Sequence, residues 1–467
     1  MKTFINPAIF RAYDIRGIVD IDLTPEIAVR IGKAYGTYIQ KIAGKDIAIG
    51  RDNRLSSVPL QSAFINGLLS TGCNCLDIGL SLSPMLYFAV AKWKLSGGVN
   101  VTGSHNPTDY NGFKLTKKDA APIAEDEIQE IRRIIEVEEF AKGQGQIQKK
   151  EIKAEYYDFL MSKVKLEKKI KVVVDAGNGI AGIYAPQLLR EIGCEVIELY
   201  CESDGTFPNH LPDPEMQENL RDLRKKVIEN RADIGVAYDG DGDRMGIVDE
   251  KGHHYESDLI LILLARDFLQ QYPGERVLFD VKCSQNVHDD IITNGGVPFL
   301  YKTGHSLIKK KMREENILFG GEVSGHMFFG EDSFVYDDGL RASCRVIHIL
   351  TKYDKLLSEH FIGLRQFHST PEIKVPCSDE DKFQVVNDIS AFFLTQYPDS
   401  ITLDGIRIVF PKGWALIRAS NTNPYLTVRI EADSSQSLKE ITITVVEKLK
   451  EFPSVRIPDV LINHGDM

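Results

Sequence analysis

The chain has 467 residues, about three times a usual domain, so three or four domains are expected rather than one core. Hydrophobic residues make up 43% and charged residues 26%, which excludes a disordered or collagen-like chain. The net charge of −11 argues against general binding to nucleic acid or anionic lipid. Seven cysteines, dispersed and without a C-x-x-C pair, suggest neither a disulfide framework nor a zinc site and fit a reducing cytosol. The opening MKTFINPAIFRAYDIRG carries Pro7, Arg11, Asp14 and Arg16 where a secretory leader needs an apolar run. No later stretch reaches the roughly 18 apolar residues that span a bilayer.

In chain order, one theme occurs three times. An apolar strand ends in a polar loop at IAIGRDN (47–53), VVVDAGNG (172–179) and VLFDVKCS (277–284). A helix-length stretch follows each, then Gly72, Gly193 or Gly295 and a second strand, glycine after a helix being the usual left-handed stop. A third strand then enters a Gly-rich loop: GGVNVTGSHNP (97–107), DIGVAYDGDGDR (233–244) and ILFGGEVSGH (317–326). Such modules predict mainly parallel sheets with the three loops at the carboxyl ends of strands, converging on one cleft. The segment AKGQGQIQKKEIK (141–153) reads as the linker after the first module. Beyond about residue 366, consecutive strands at ITLDGIRIVF, GWALIRAS and YLTVRIEAD predict a small α+β domain with an antiparallel sheet, whose most polar turn is RASNTNP (418–424).

The loops carry the chemistry. Asp239, Asp241 and Asp243 alternate, which places three carboxylates on one side of an extended segment, with glycines that let the backbone close around a hard cation such as Mg²⁺. An EF-hand is excluded because Arg244 stands where the loop needs glycine and the flanks read as strands. Ser104 is expected in an exposed turn, where a metal or base would have to activate its hydroxyl. A phosphoserine there would need cationic help, which Lys114 and Arg244 are placed to give. In GGEVSGH, Glu322 and Ser324 form a same-side pair able to hold two hydroxyls, and His326 is a general acid/base candidate. Lys282 and His305 add positive charge, and Arg418, Ser420, Asn421 and Thr422 form a donor cluster suited to phosphate. Gly177, Gly179 and Gly182 spell GxGxxG after a strand, but a tight strand-to-helix entry accounts for them without a dinucleotide.

FRAYDIRG (10–17), TGSHNP (102–107), DGTFPNHLPDP (204–214), DGDGDR (239–244), GEVSGH (321–326) and RASNTNP (418–424), in this order, resemble the α-D-phosphohexomutase superfamily, most closely its bacterial phosphomannomutase/phosphoglucomutase group. The resemblance implies three related mixed α/β domains and a C-terminal α+β domain resembling the TATA-binding-protein fold, around one central cleft. The expected division is 1–150 with the phosphoserine loop, 151–253 with the metal loop, 254–365 with the sugar loop and 366–467 with the phosphate loop. It implies an isomerase that interconverts hexose 1-phosphate and hexose 6-phosphate through phosphoserine 104 and a hexose 1,6-bisphosphate, which acts as intermediate and activator. One Mg²⁺ would be held by Ser104, Asp239, Asp241 and Asp243. Catalysis would use Ser104, His326, Lys114, Arg244 and Arg16. Tyr13, Lys282, His305, Glu322, Ser324, Arg418, Ser420, Asn421 and Thr422 would bind substrate. The expected partners are small hexose phosphates, not nucleic acid or membrane, for a monomeric cytoplasmic enzyme. A phosphoglucosamine mutase of the same superfamily is an alternative. So is a Mg²⁺-dependent sugar phosphatase, which would need an open, wet site.

Overall fold

In the computed structural model, which describes residues 5–332, 334–420 and 423–466 (463–466 by backbone alone), the strand and helix alternation is present three times. Its first instance runs through strands Asp46–Arg51, Asn74–Leu80 and Gly97–Val101, separated by helices Ser57–Leu69 and Ser83–Lys92. The second runs through Lys171–Asp175, Glu195–Leu199 and Ile234–Tyr238, and the third through Arg276–Asp280, Val297–Tyr301 and Phe319–Gly321. The middles of the central strands are apolar on both faces, as in a sheet with helices against it: Val172, Val173 and Val174 are all fully buried. No helix among the described residues is long and apolar enough to cross a membrane.

The sheets are mixed rather than mainly parallel. In the first, Asp46–Arg51 pairs in parallel with Asn74–Leu80 and Gly97–Val101, but Tyr110–Lys117 returns antiparallel and carries Ile15–Ile18, also antiparallel, on its far edge. The expected linker contains a strand, Ile147–Lys149, which adds to Asn74–Leu80 in parallel. All three of its side chains are exposed, so its polar sequence has no core to match and the backbone ladder alone defines it. In the second sheet, Ile234–Tyr238 and Met245–Asp249 form an antiparallel pair in which Tyr238 faces Met245. The residues from Asp239 to Arg244 are therefore the turn of a hairpin.

Contacts divide the chain into two compact units. The first comprises Met1–Leu278, Asp290–Pro298 and Gly304–Ile362; the second comprises Phe279–Asp289, Phe299–Thr303 and Gly363–Met467. Within the first, helices Pro25–Ile42 and Ser57–Leu69 cross at glycines: a Cβ on Gly32 would meet the carbonyl of Phe64 at 2.2 Å, and one on Gly67 the carbonyl of Val29 at 2.1 Å. In the second unit, Ile406–Phe410, Gly413–Ala419 and Tyr425–Ala432 form the expected antiparallel meander, and Ile373–Pro376 and His368–Ser369 also pair with Tyr425–Ala432. Helices Lys382–Gln396 and Ser435–Leu449 belong to the same core as Ile417, Val428 and Ile430. A further helix, Asp459–Asp466, follows, and its fully buried Leu461 anchors it to that core.

Candidate active site

The Ser104 loop is shaped from beneath. Arg54, 1% exposed, sends Nη1 to the carbonyls of Pro107 and Tyr110 and Nη2 to those of Ser104 and Asn106, at 2.6 to 3.1 Å. Its Nε lies 3.3 Å from Asp52, whose carboxylate also accepts from the Ser57 hydroxyl and the Gly103 amide. Four carbonyls collected by one guanidinium fix a turn that has little regular structure of its own. Ser104 takes a left-handed φ of 49°, and its amide donates to the Thr102 hydroxyl at 2.8 Å. The expected exposed serine is 1% exposed. Its cover is the other loop, where Gly240 approaches so closely that a Cβ there would lie 2.2 Å from the Ser104 carbonyl.

The Ser104 hydroxyl donates to Asp239 Oδ2 at 2.8 Å and lies 3.2 Å from His105 Nδ1. Asp239, Asp241 and Asp243 are fully buried and each offers a carboxylate oxygen within 4.8 Å of the others. Their convergence comes from the turn, not from alternation along an extended strand as the spacing suggested. Lys114 Nζ bridges two of them, at 2.6 Å from Asp241 and 2.5 Å from Asp243. Asp241 also accepts a short hydrogen bond from the Ser83 hydroxyl. The Oδ1 atoms of Asp241 and Asp243 are buried without a hydrogen-bond donor, which suits them to ligate a hard cation.

Electrostatics point the same way. Burial, then the neighbouring Asp243 and Asp241, hold the Asp239 carboxyl well above its ordinary value. Burial also opposes the charges on Asp243 and Lys114, but opposite charges outweigh it: Lys114 and then His326 hold Asp243 well below its usual range, and Asp241 and then Asp243 hold Lys114 well above its own. Three carboxylate oxygens that converge in a buried centre are the ligand set of a hard divalent ion.

The GEVSGH turn adjoins this centre. Arg244 and His326 form an isolated antiparallel bridge, and Arg244 Nε lies 3.2 Å from His326 Nε2. His326 Nδ1 lies 2.9 Å from the Ser324 hydroxyl and 3.1 Å from Glu322, while Nε2 is 3.5 Å from Asp243. Burial and Arg244 disfavour the imidazolium; Asp243 and Glu322 outweigh them and push it up to about 9. Glu322 accepts from the Gly304 amide at 2.6 Å, and His305 stacks on His326 with centroids 5.3 Å apart. Tyr13 meets His305 edge-on at 6.0 Å. Arg16 bonds Asn106 of the serine loop at 2.7 Å and Asp14 at 2.5 Å.

The first unit thus brings together Ser104, the three aspartates, Lys114, Arg244, His326, His305, Glu322, Ser324, Arg16 and Tyr13. Lys282, Arg418 and Ser420 belong to the second. There Lys282 pairs with Glu372 at 3.0 Å and Arg418 with Asp404 at 2.9 Å, while Ser420 Oγ accepts from the Asn423 amide. Asn421 and Thr422 lie outside the described residues. The sequence reading missed Arg54 and Asp52, although GRDNR at a strand end is an unusual charge cluster. It also missed Lys309, 1% exposed, whose ammonium holds Asp337 at 2.8 Å close to His305 and His326. Glu215 is a further addition, pairing with Arg244.

Comparison with known proteins matches four family descriptions in succession. These are phosphoglucomutase/phosphomannomutase alpha/beta/alpha domain I at residues 7–142, domain II at 154–252, domain III at 256–366 and the C-terminal domain at 372–448. The chain is 44% identical over 448 residues to a phosphomannomutase/phosphoglucomutase of Pseudomonas aeruginosa, with 96% of each chain covered. It is 42% identical to a phosphoglucomutase of Neisseria gonorrhoeae, covering 94% of this chain and 95% of that one. A crystal structure of a phosphoglucomutase/phosphomannomutase family protein from Burkholderia thailandensis superimposes with a TM-score of 0.92 at 36% identity, over 97% of this chain and 100% of that one. A buried serine and three aspartates on the matched domains, with relatives that align from end to end, place the chain in the phosphoglucomutase/phosphomannomutase family of the α-D-phosphohexomutase superfamily.

Proposed function

We propose that this chain is a phosphohexomutase that interconverts hexose 1-phosphate and hexose 6-phosphate, of mannose, glucose or both, through phosphoserine 104. The observation that carries the proposal is the Ser104 hydroxyl held 2.8 Å from Asp239 inside a buried carboxylate cluster. Such a cluster suits a phosphorylated serine with a cation better than it suits a free hydroxyl. Mg²⁺ is proposed to be held by Asp239, Asp241, Asp243 and the phosphorylated Ser104, where it would supply charge neutralisation for phosphoryl transfer.

In the proposed reaction the bond between phosphorus and Ser104 Oγ breaks as one forms to a free hydroxyl of the hexose phosphate. The product is a hexose 1,6-bisphosphate, which turns end for end and returns its other phosphate to Ser104. Lys114 and Arg244 offset charge on the transferring group, and Arg16 steadies the serine loop through Asn106. His326 moves the hydroxyl proton, and Glu322, Ser324, His305 and Tyr13 orient the sugar. Lys282, Arg418, Ser420, Asn421 and Thr422 are proposed to bind the phosphate that is not reacting. The domains are proposed as 1–150, 151–253, 254–365 and 366–467.

The buried serine argues against the phosphatase alternative, which needs water at the phosphorus. The test is intact mass of the purified chain with peptide mapping. One phosphate on the peptide containing Ser104, removed by glucose or mannose 1-phosphate with formation of the 6-phosphate, is the expected result. A chain that only releases inorganic phosphate is a phosphatase.

A further inference from the structure

In the second unit a cavity of about 370 Å³ lies against the strand Ile406–Phe410 and the turn that leads into Gly413–Ala419. Phe279, Leu300, Phe367 and Trp414 give it apolar walls, the exposed Arg365 and Lys412 stand at its rim, and no carboxylate lines it. It shares no residue with the candidate active site.

Arg407 is the group that needs explaining. It is 5% exposed, its Nη1 donates to the carbonyls of Val281 and Cys283 at 2.8 and 2.9 Å, and its guanidinium lies 3.8 Å over the Trp414 ring. Among the described residues no carboxylate forms an ion pair with it. Glu431 is occupied by Trp414 Nε1 and the Gln285 amide, both at 2.9 Å. Burial pushes the Arg407 pKa down to about 10 despite the charge of Glu431. Asp433 lies near Arg365 and Lys412 beside its helix cap, does not line the cavity, and has its Oδ1 buried without a hydrogen-bond donor.

A buried guanidinium held by carbonyls and a ring face rather than by an ion pair, in a cavity of the size that small ligands use with two further cations at its rim, suits an anion. An inorganic anion would leave the apolar walls wet, and a neutral hydrocarbon would make no use of the three cations. We infer that this cavity is a binding site for a small aromatic anion, with a planar apolar body between the walls and its acidic group on Arg407, Lys412 and Arg365.

The test uses the full chain carrying Trp93→Phe, which leaves Trp414 as the only tryptophan, titrated with 8-anilinonaphthalene-1-sulfonate. Excitation of Trp414 is expected to give saturable energy transfer at one probe per chain. N-phenyl-1-naphthylamine, which has the same rings without the sulfonate, is expected to bind about tenfold more weakly. Lys412 and Val409 are both exposed, so Lys412→Glu and Val409→Glu should keep the thermal midpoint while each weakens the sulfonate probe by about tenfold. Absence of saturable transfer, equal binding of the uncharged probe, or unchanged affinity in either variant overturns the inference.

Discussion

Ser104 Oγ donates to Asp239 Oδ2 at 2.8 Å, a bond that joins two loops 135 residues apart in sequence. It places the proposed phosphoryl acceptor directly against the proposed metal loop, so the two loops form one site.

Replacing Ser104 by Ala removes one hydroxyl and no packing of consequence. Stability should change by about 1 kcal/mol, the usual net worth of one hydrogen bond. Turnover of hexose phosphates should fall on the order of a thousandfold or more, as for loss of a covalent nucleophile. Urea unfolding and a coupled assay check the two halves separately; retained turnover would remove Ser104 from the reaction.

Asp241 offers a harder test of the cation site. Its Oδ2 is engaged by Lys114 and Ser83, while its Oδ1 has no donor. Asp241→Asn relieves repulsion in the cluster, so the metal-free protein should melt no lower than the parent. Affinity for Mn²⁺, read by calorimetry, should fall at least about tenfold, and the rise in melting temperature on adding metal should shrink with it. Unchanged Mn²⁺ affinity would count against the loop as the site.

The parts of this centre that were legible in the sequence are those whose residue types repeat within one loop: DGDGDR, TGSHNP and GEVSGH. Their convergence followed from the strand pattern, because carboxyl ends of strands collect loops. Arg54 and Lys309 were not legible. Each is a single basic residue whose partners, loop carbonyls for Arg54 and Asp337 for Lys309, are far away in sequence. Burial of Ser104 is hidden in the sequence for a related reason: it depends on the backbone of Gly240 arriving from another module. The strand Ile147–Lys149 has the sequence of a linker because an edge strand with exposed side chains leaves no apolar periodicity.

Gly240 makes that close approach a measurable constraint. A Cβ would stand 2.2 Å from the Ser104 carbonyl, a backbone atom that Arg54 also holds, and 3.4 Å from Pro212 Cγ. Neither side can yield cheaply, so Gly240→Ala should destabilise the fold by about 1 to 3 kcal/mol, the usual cost of overpacking. Turnover should fall by more than about tenfold as the two loops are forced apart. Normal turnover together with normal stability would contradict the fit described between the loops.

His210 gives a pH dependence with a definite sign. Both ring nitrogens face acceptors: Nδ1 lies 2.9 Å from the Leu211 carbonyl and Nε2 lies 3.2 Å from each oxygen of Asp175. Only the imidazolium can donate from both. Burial works against that charge, but the hydrogen bond and charge of Asp175 outweigh it and raise the His210 pKa above 6.5. Between 6.5 and the raised value the folded chain binds more protons than the unfolded one, so stability must fall as pH rises through that window. Below the unfolded pKa the contribution is complete, and above the folded pKa it is gone. His210→Gln removes the titration, so the stability difference between parent and variant in urea should be largest below 6.5 and shrink as pH rises through the raised value. A difference that holds constant over that range would mean that His210 is not protonated in the folded protein. Pro212, two residues on, packs beside Gly240 of the metal loop, its Cγ 3.4 Å from where a Cβ there would stand. Loss of the imidazolium should therefore loosen the support of the metal loop, and Mn²⁺ affinity measured on the same variant checks this.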